Sequence, residues 1–491
     1  MLRRGRLNGE MDPLAAVYTS SMKADARIFY PTVQINLAHT MMLAERGIIP
    51  VKEASAILKA LLDLHGKGIV GLELSPELED IHMVVEKFVT DAVGNEIGGK
   101  MHTAKSRNDQ VATAVRMALR KEILEVEEKI LELVKALLEL AEKNMNTTMP
   151  GYTHLQVAQP TTFAHWLAAH AFAILRDAAR LERAYDSTSS CPMGACALAG
   201  TSFPIDRVRV THLLGFKRLE DNTMDAVSSR DFALETMGAL AITAVNMSRL
   251  AEELILWGSS EFGMVSLPDE FSATSSIMPQ KKNPVVAEIA RARSGKVIGD
   301  LVGGLALVKS LPQSYNLDLQ DFTPLLWSSV DGVKETAAAM AKMIEKTEPN
   351  KEVMKRRAEA GFSTATELAD LIVRRTNLPF RDAHAVVGKL ISTVEGESFK
   401  DVGPDDLKKT AKEVLGKEVV LDADELKTAL DPSECVKVRG LPGGPAPKAV
   451  QAQANEIKHQ LKSYEKLLNA RKRMLQKSET KLLKEAKGRA K

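Results

Sequence analysis

The chain has 491 residues, 45% of them hydrophobic and 26% charged, with 66 basic against 64 acidic side chains and a net charge of +2. That balance gives no footing for a nucleic-acid or membrane partner; Cys191, Cys196 and Cys435 are too few for a disulfide framework, and no CxxC pair suggests zinc. No 18-residue apolar run exists, and Met1-Leu2-Arg3-Arg4-Gly5-Arg6 leads into polar residues and not an apolar signal core, so a cytoplasmic protein is expected.

Aromatic residues make up only 4%, while Ala, Leu, Glu and Lys abound, a composition that points to helices. Residues 1–107 read as an N-terminal domain of short helices and polar turns, punctuated at Asp12-Pro13 and Ser75-Pro76. From Asn108 to Asn144 there is neither Gly nor Pro, and Ile123, Val126, Ile130, Leu133, Leu137 and Leu140 recur at steps of three and four. This predicts one amphipathic helix of 37 residues, roughly 55 Å long. Similar runs follow over Thr161–Asp186, Ser228–Trp257, Val285–Leu311 and Leu325–Lys346. Rods of that length need one another to be stable, so residues 108–352 are expected to form a central bundle of five long helices in an all-α chain. Gly295, Gly299 and Gly303 share one helix face and predict a close helix–helix contact there. Residues 353–491 read as a C-terminal helical domain, broken by a Gly/Pro loop at Arg439–Pro445. It ends in a basic tail (Lys477, Lys481, Lys484, Lys487, Lys491) read as a solvated, frayed helix end.

Three polar islands interrupt the helical runs. His102-Thr103-Ala104-Lys105-Ser106-Arg107-Asn108-Asp109-Gln110 opens the 37-residue helix, where free N–H groups and the positive dipole end suit an anion and Arg107 offers a planar fork. The same residues also suit an elaborate N-cap. Gly151–Pro160 places His154 among hydrogen-bonding side chains just before the next long helix, where a lone histidine is more often structural. Ser275-Ser276-Ile277-Met278-Pro279-Gln280-Lys281-Lys282-Asn283-Pro284 fits neither a helical nor a strand period. It carries hydroxyls, amides and two ammonium groups, followed by Glu288 in the first turns of a helix, a set that an anionic substrate would satisfy. Three distant helix ends meeting at one site suggest completion between subunits.

The last island resembles the signature loop of the aspartase/fumarase superfamily of lyases, and its Gln-Lys-Lys-Asn core resembles the argininosuccinate lyase branch. Glu79–Met83, Leu198–Arg207, Asn222–Ser228, Tyr315–Gln320 and Gly443–Ala446 extend the resemblance in order from about residue 10 to about 455. The resemblance implies cleavage of argininosuccinate to arginine and fumarate, with no metal or cofactor, by a homotetramer whose sites draw on three subunits. It assigns Ser275 as base, Lys281 as the stabilising cation, and His154 with Glu288 as an imidazole–carboxylate pair. Ser21, His82, Ser106, Arg107, Asn108, Thr153, Asn283, Tyr315 and Gln320 match substrate-holding positions, and Asp80 either orients His82 or caps a helix. There are departures: Thr323 stands where relatives often carry Lys, Thr274 where a glycine often precedes the loop serines, and Ala104-Lys105 where Gly-Arg is common. The usual Trp near the amino end is missing, although Gly5-Arg6 remain. Rival readings are another superfamily lyase, such as adenylosuccinate lyase, and a non-catalytic structural member of the fold.

Overall fold

The computed structural model of the chain describes residues 11–70 and 72–491; the Gly5-Arg6 match lies outside them. The N-terminal part is more regular than its sequence suggests. Helices α1 (Phe29–Glu45), α2 (Val51–Lys67) and α3 (Ile81–Val93) follow one another. Both expected punctuation points act as caps: Asp12 receives Leu14 N at 2.8 Å, and Ser75 receives Glu77 N at 3.3 Å.

The long helix α4 spans Arg107–Lys143. Ser106 caps it in a capping box with Asp109, and all six apolar positions that set its period are buried. Strands β1 (Thr148–Thr153) and β2 (Gln156–Thr162) form a hairpin, then α5 (Phe163–Thr188) runs back along α4. The remaining rods are α6 (Asp231–Gly258), α7 (Val285–Val308) and α8 (Asp318–Glu345). Before α7, the two-residue strands β3 (Ala273–Thr274) and β4 (Lys282–Asn283) pair antiparallel and close the Ser275–Lys281 loop. The five expected long helices are all present and share one apolar core with the N-terminal helices.

Several expectations are corrected. The fifth rod starts at Asp318 and not Leu325, because it runs through Pro324. Proline there gives up one backbone hydrogen bond, and burial of Leu319, Phe322 and Leu326 overrides that loss. The third rod starts after Ser229-Arg230, a break that separates it from the short helix Thr223–Ser228. Residues 353–491 do not share one core. Leu368 to Ala429 build a separate cluster. The last helix, α9 (Pro447–Arg489, 43 residues), instead returns to the main core through Val450, Ile457, Leu468 and Leu482. Its basic end is not frayed, since Ala486 is fully buried and Arg489 pairs with Glu485 at 3.1 Å. Of the three glycines expected to meet a helix, Gly303 does, with an added Cβ 3.0 Å from Leu325 on α8, whereas among the described residues a Cβ added at Gly295 or Gly299 would touch nothing within 4 Å. Ile289, Ala292, Gly295, Gly299, Val302 and Ala306 instead form an exposed apolar seam along an unbroken α7.

Candidate active site

At the N-terminal end of α4 lies a cavity of about 410 Å³, within the usual size range for small-molecule sites. Ser21, Arg107, Asn108, Tyr315 and Gln320 of the expected set line it, together with Asp25, Glu79, Asp80 and Thr323. Ser106 holds the helix start, accepting Asn108 N at 3.3 Å while its own N–H donates to Asp109 Oδ1 at 3.0 Å. Arg107 Nη1 donates to Glu79 Oε2 at 2.9 Å and lies 3.3 Å from Asp80 Oδ2. Two carboxylates thus hold the guanidinium among the residues that line the cavity. Gln320 Nε2 donates to Thr19 O at 2.7 Å, which fixes its amide.

Asp25 escaped the sequence reading, and Glu79, although part of a matched segment, was given no role there. Ser21 Oγ donates to Asp25 Oδ2 at 2.6 Å, a pairing that the i, i+4 spacing on a short helix could have announced. Burial outweighs the hydrogen bonds from Ser21 and Ile81 N and pushes Asp25 up to about 6. Glu79 has a φ of 59°, a left-handed conformation costly for a side-chain-bearing residue. Asp80 caps α3, accepting Met83 N at 2.8 Å. His82 is buried at 4% exposure, and neither ring nitrogen has a hydrogen-bond partner among the described residues. Burial pulls it down to about 4, so it is a neutral imidazole.

The other expected residues gather at the opposite end of the bundle. Thr153 and Gln156 close a two-residue turn whose central residues, His154 and Leu155, have φ of 55° and 57°. Both φ values are positive, as in a type I′ turn, which usually takes Asn-Gly. This thrusts the imidazole of His154 into solvent at the hairpin tip. The ring of Tyr152 stacks on Trp257 at 5.0 Å and ties the hairpin to the C-terminal end of α6.

In the β3–β4 loop, Ser275 Oγ accepts Ile277 N at 3.3 Å and Met278 N at 3.1 Å. Lys282 is tied to Leu267 O and Asp269 Oδ1. Lys281 is exposed, and its ammonium has no hydrogen-bond or ion-pair partner among the described residues. Asn283 ends β4, and Glu288 stands exposed in the first turn of α7. No hydrogen bond or ion pair joins Glu288 to His154 within one chain, among the described residues.

The expected site is therefore split. The 37 residues of α4 separate its two halves by roughly 55 Å.

A lyase family model matches residues 5–299, and an argininosuccinate lyase C-terminal model matches residues 362–437. The argininosuccinate lyase of Methanothermobacter thermautotrophicus is 47% identical over 467 residues, covering 95% of this chain and 100% of that protein. The chain belongs to the argininosuccinate lyase family. The family member of Methanocaldococcus jannaschii is 45% identical, covering 95% of both chains. Among solved structures, EDDS lyase with bound formate superposes with a TM-score of 0.88 at 30% identity, covering 99% of this chain and 98% of that one. A class II fumarase from Schistosoma mansoni shares the fold at a TM-score of 0.70 and 17% identity, covering 83% of this chain and 90% of the fumarase.

The C-terminal match coincides with the separate core of Leu368 to Ala429, so that small unit carries the family's mark. Among the described residues, no helix is long and apolar enough to cross a membrane.

Proposed function

We propose that this protein is an argininosuccinate lyase, cleaving argininosuccinate reversibly to L-arginine and fumarate in arginine biosynthesis, in the cytoplasm and without a cofactor. The observation that carries the proposal is the split site: the residues expected to bind substrate and those expected to do the chemistry fall into two half-sites at opposite ends of one rod. A homotetramer with shared sites reconciles these positions. The exposed seam of α7 supports self-association, because an apolar stripe with small residues at three- and four-residue steps has no partner among the described residues of its own chain.

In this reading the cavity takes the substrate and a neighbouring subunit's loop brings the base. Ser275 removes a proton from the carbon beside a succinyl carboxylate. The electron pair left behind becomes the double bond of fumarate as the neighbouring carbon–nitrogen bond breaks, and the departing guanidinium nitrogen takes up a proton. A serine oxygen is a poor base unless its negative form is stabilised. The two backbone N–H groups already aimed at Ser275 Oγ supply that stabilisation, as an oxyanion hole does. The unpaired ammonium of Lys281 and the start of α7 beside Asn283 are suited to the charge that develops on the carboxylate. His154 and Glu288, apart within one chain, would form their pair across subunits, with Thr153 beside them contacting substrate. Ser21, Ser106, Arg107, Asn108, Tyr315 and Gln320 would hold the substrate, and His82 would back the pocket as a neutral imidazole.

The test is fumarate release, followed by ultraviolet absorbance, from argininosuccinate and in parallel from adenylosuccinate. Release from argininosuccinate alone is expected. Release from adenylosuccinate alone, or from neither, overturns the reading.

A further inference from the structure

The segment leading into α4 buries a cation that, among the described residues, no carboxylate pairs with directly. Lys105 is 7% exposed, and its Nζ donates to Asn36 Oδ1 on α1, an oxygen that Gln110 Nε2 also approaches at 3.5 Å. Glu86 and Asp109 act on the ammonium only through space, because both are committed elsewhere. Asp109 accepts Ser106 N, Gly194 N and Cys196 N at 3.0, 3.1 and 2.9 Å. Glu86 Oε2 lies 3.2 Å from His102 Nδ1. The remaining titratable neighbours, His39 and His82, are kept neutral by burial, at about 3 and about 4. An ammonium buried on a neutral amide is costly, and burial pulls Lys105 down to about 8. Such a cost is offset when an anion arrives nearby. Lys105 directly precedes Ser106, the cap of the helix start that carries Arg107 and Asn108 into the cavity.

We infer that Lys105 is the buried charge behind the Ser106–Asn108 cradle, a positioning residue that raises affinity for the substrate's carboxylates without touching them. This rests on the lyase reading above. It requires protonated Lys105 for tight binding, so KM rises as pH climbs through the value set by its burial. The proton affinity of Lys105 and not the chemical step would then set the alkaline limit of substrate capture.

The experiment compares the full-length protein with K105R and K105Q. KM and kcat for argininosuccinate are measured from about pH 6.5 to about 9.5, alongside fumarate binding by titration calorimetry. K105Q is expected to raise KM and the fumarate Kd about tenfold while leaving kcat within about twofold. The KM of the native protein should climb above about pH 8. K105R stays charged throughout, so it should keep the neutral-pH KM and abolish the climb. The inference is overturned if K105Q binds like the native protein, or if the KM of K105R climbs in step with it. Should K105Q fail to fold, the K105R profile decides alone. If the native protein releases no fumarate from argininosuccinate, the lyase reading fails, and the fumarate titrations then decide the assignment of Lys105.

Discussion

Two dead variants should restore each other's activity. Arg107→Ala removes the fork from the cavity at one end of α4, and Ser275→Ala removes the hydroxyl from the β3–β4 loop at the other. Roughly 55 Å separates the ends of that helix, so no site can use both residues from one chain. Each site would take its cavity from one subunit and its loop from another. In an oligomer reassembled from equal amounts of the two variants, half the cavities and half the loops are intact. If chains assort at random, about a quarter of the sites combine an intact cavity with an intact loop. The assay is fumarate release after mild dissociation and reassembly, with each variant alone and native protein as controls. A mixed sample reaching about a quarter of native kcat per site, with native KM in the restored sites, matches this geometry. Activity that stays at the level of the separate variants, in a mixture shown by mass to be hybrid, refutes it.

Three further perturbations probe the frame around the site. Glu127 is fully buried with no hydrogen-bond partner for its carboxyl among the described residues, and burial raises it from 4.5 to about 7. The folded chain keeps a proton there that the unfolded chain releases, so stability falls as pH rises from about 4.5 to about 7 and levels off above that. Relative to the native protein, Glu127→Gln should therefore gain stability with pH, by about 3 kcal/mol across the window; a pH-independent difference in denaturant midpoints refutes this. Ala104 sits at φ of 58°, so Ala104→Gly should stabilise by about 0.5–1 kcal/mol, and a lowered urea midpoint would count against strain at that residue. Thr323 is buried against the cavity, its hydroxyl donating to Leu319 O at 3.3 Å. Thr323→Lys would point an ammonium toward Asp25 and Glu79 and should change KM several-fold with kcat held within about twofold; a fall in kcat at constant KM would place Thr323 in the chemistry instead.

The long rods were legible because periodicity reports burial directly: each apolar position used to draw α4 is buried, and the 37-residue length matches. What failed to show were elements set by tertiary contacts. The β1–β2 hairpin lacks its usual turn residues, since His154 and Leu155 occupy positions that favour Asn-Gly. Pro324 reads as a stop, yet the helix continues through it on the strength of buried neighbours. The Gly/Pro loop before α9 reads as the interior of a C-terminal domain, and only packing reveals that α9 returns to the first core. Of the site, the islands themselves were legible, because polar clusters between apolar runs stand out locally. Asp25 did not stand out, since apart from its i, i+4 spacing from Ser21 one carboxylate on a short helix looks like any solvated residue. Lys105 sat in view inside an island, but burial is a property of the fold and not of the residue type.

The separation of the half-sites also constrains how the chain can be regulated and damaged. The cavity end rests on buried polar anchors: Asp109 holds three backbone N–H groups, and Lys105 is pinned on Asn36. The opposite end carries the candidate catalytic residues on exposed tips, with His154 on a hairpin and Ser275 and Lys281 on a seven-residue loop closed by two residue pairs. In the proposed reading, binding on buried anchors and chemistry on exposed tips fall to different ends of the same rod. In that reading the loop would close over a cavity supplied by another chain, so assembly and loop closure would become the same requirement. Loss of the α7 seam should then abolish turnover without disturbing either half-site in the separated chain. Val302→Glu places a charge in the middle of that seam, where Val302 is 59% exposed in a single chain, and is expected to leave the chain folded, monomeric and inactive. Unchanged mass in solution together with native turnover would show that the seam does not hold the subunits together.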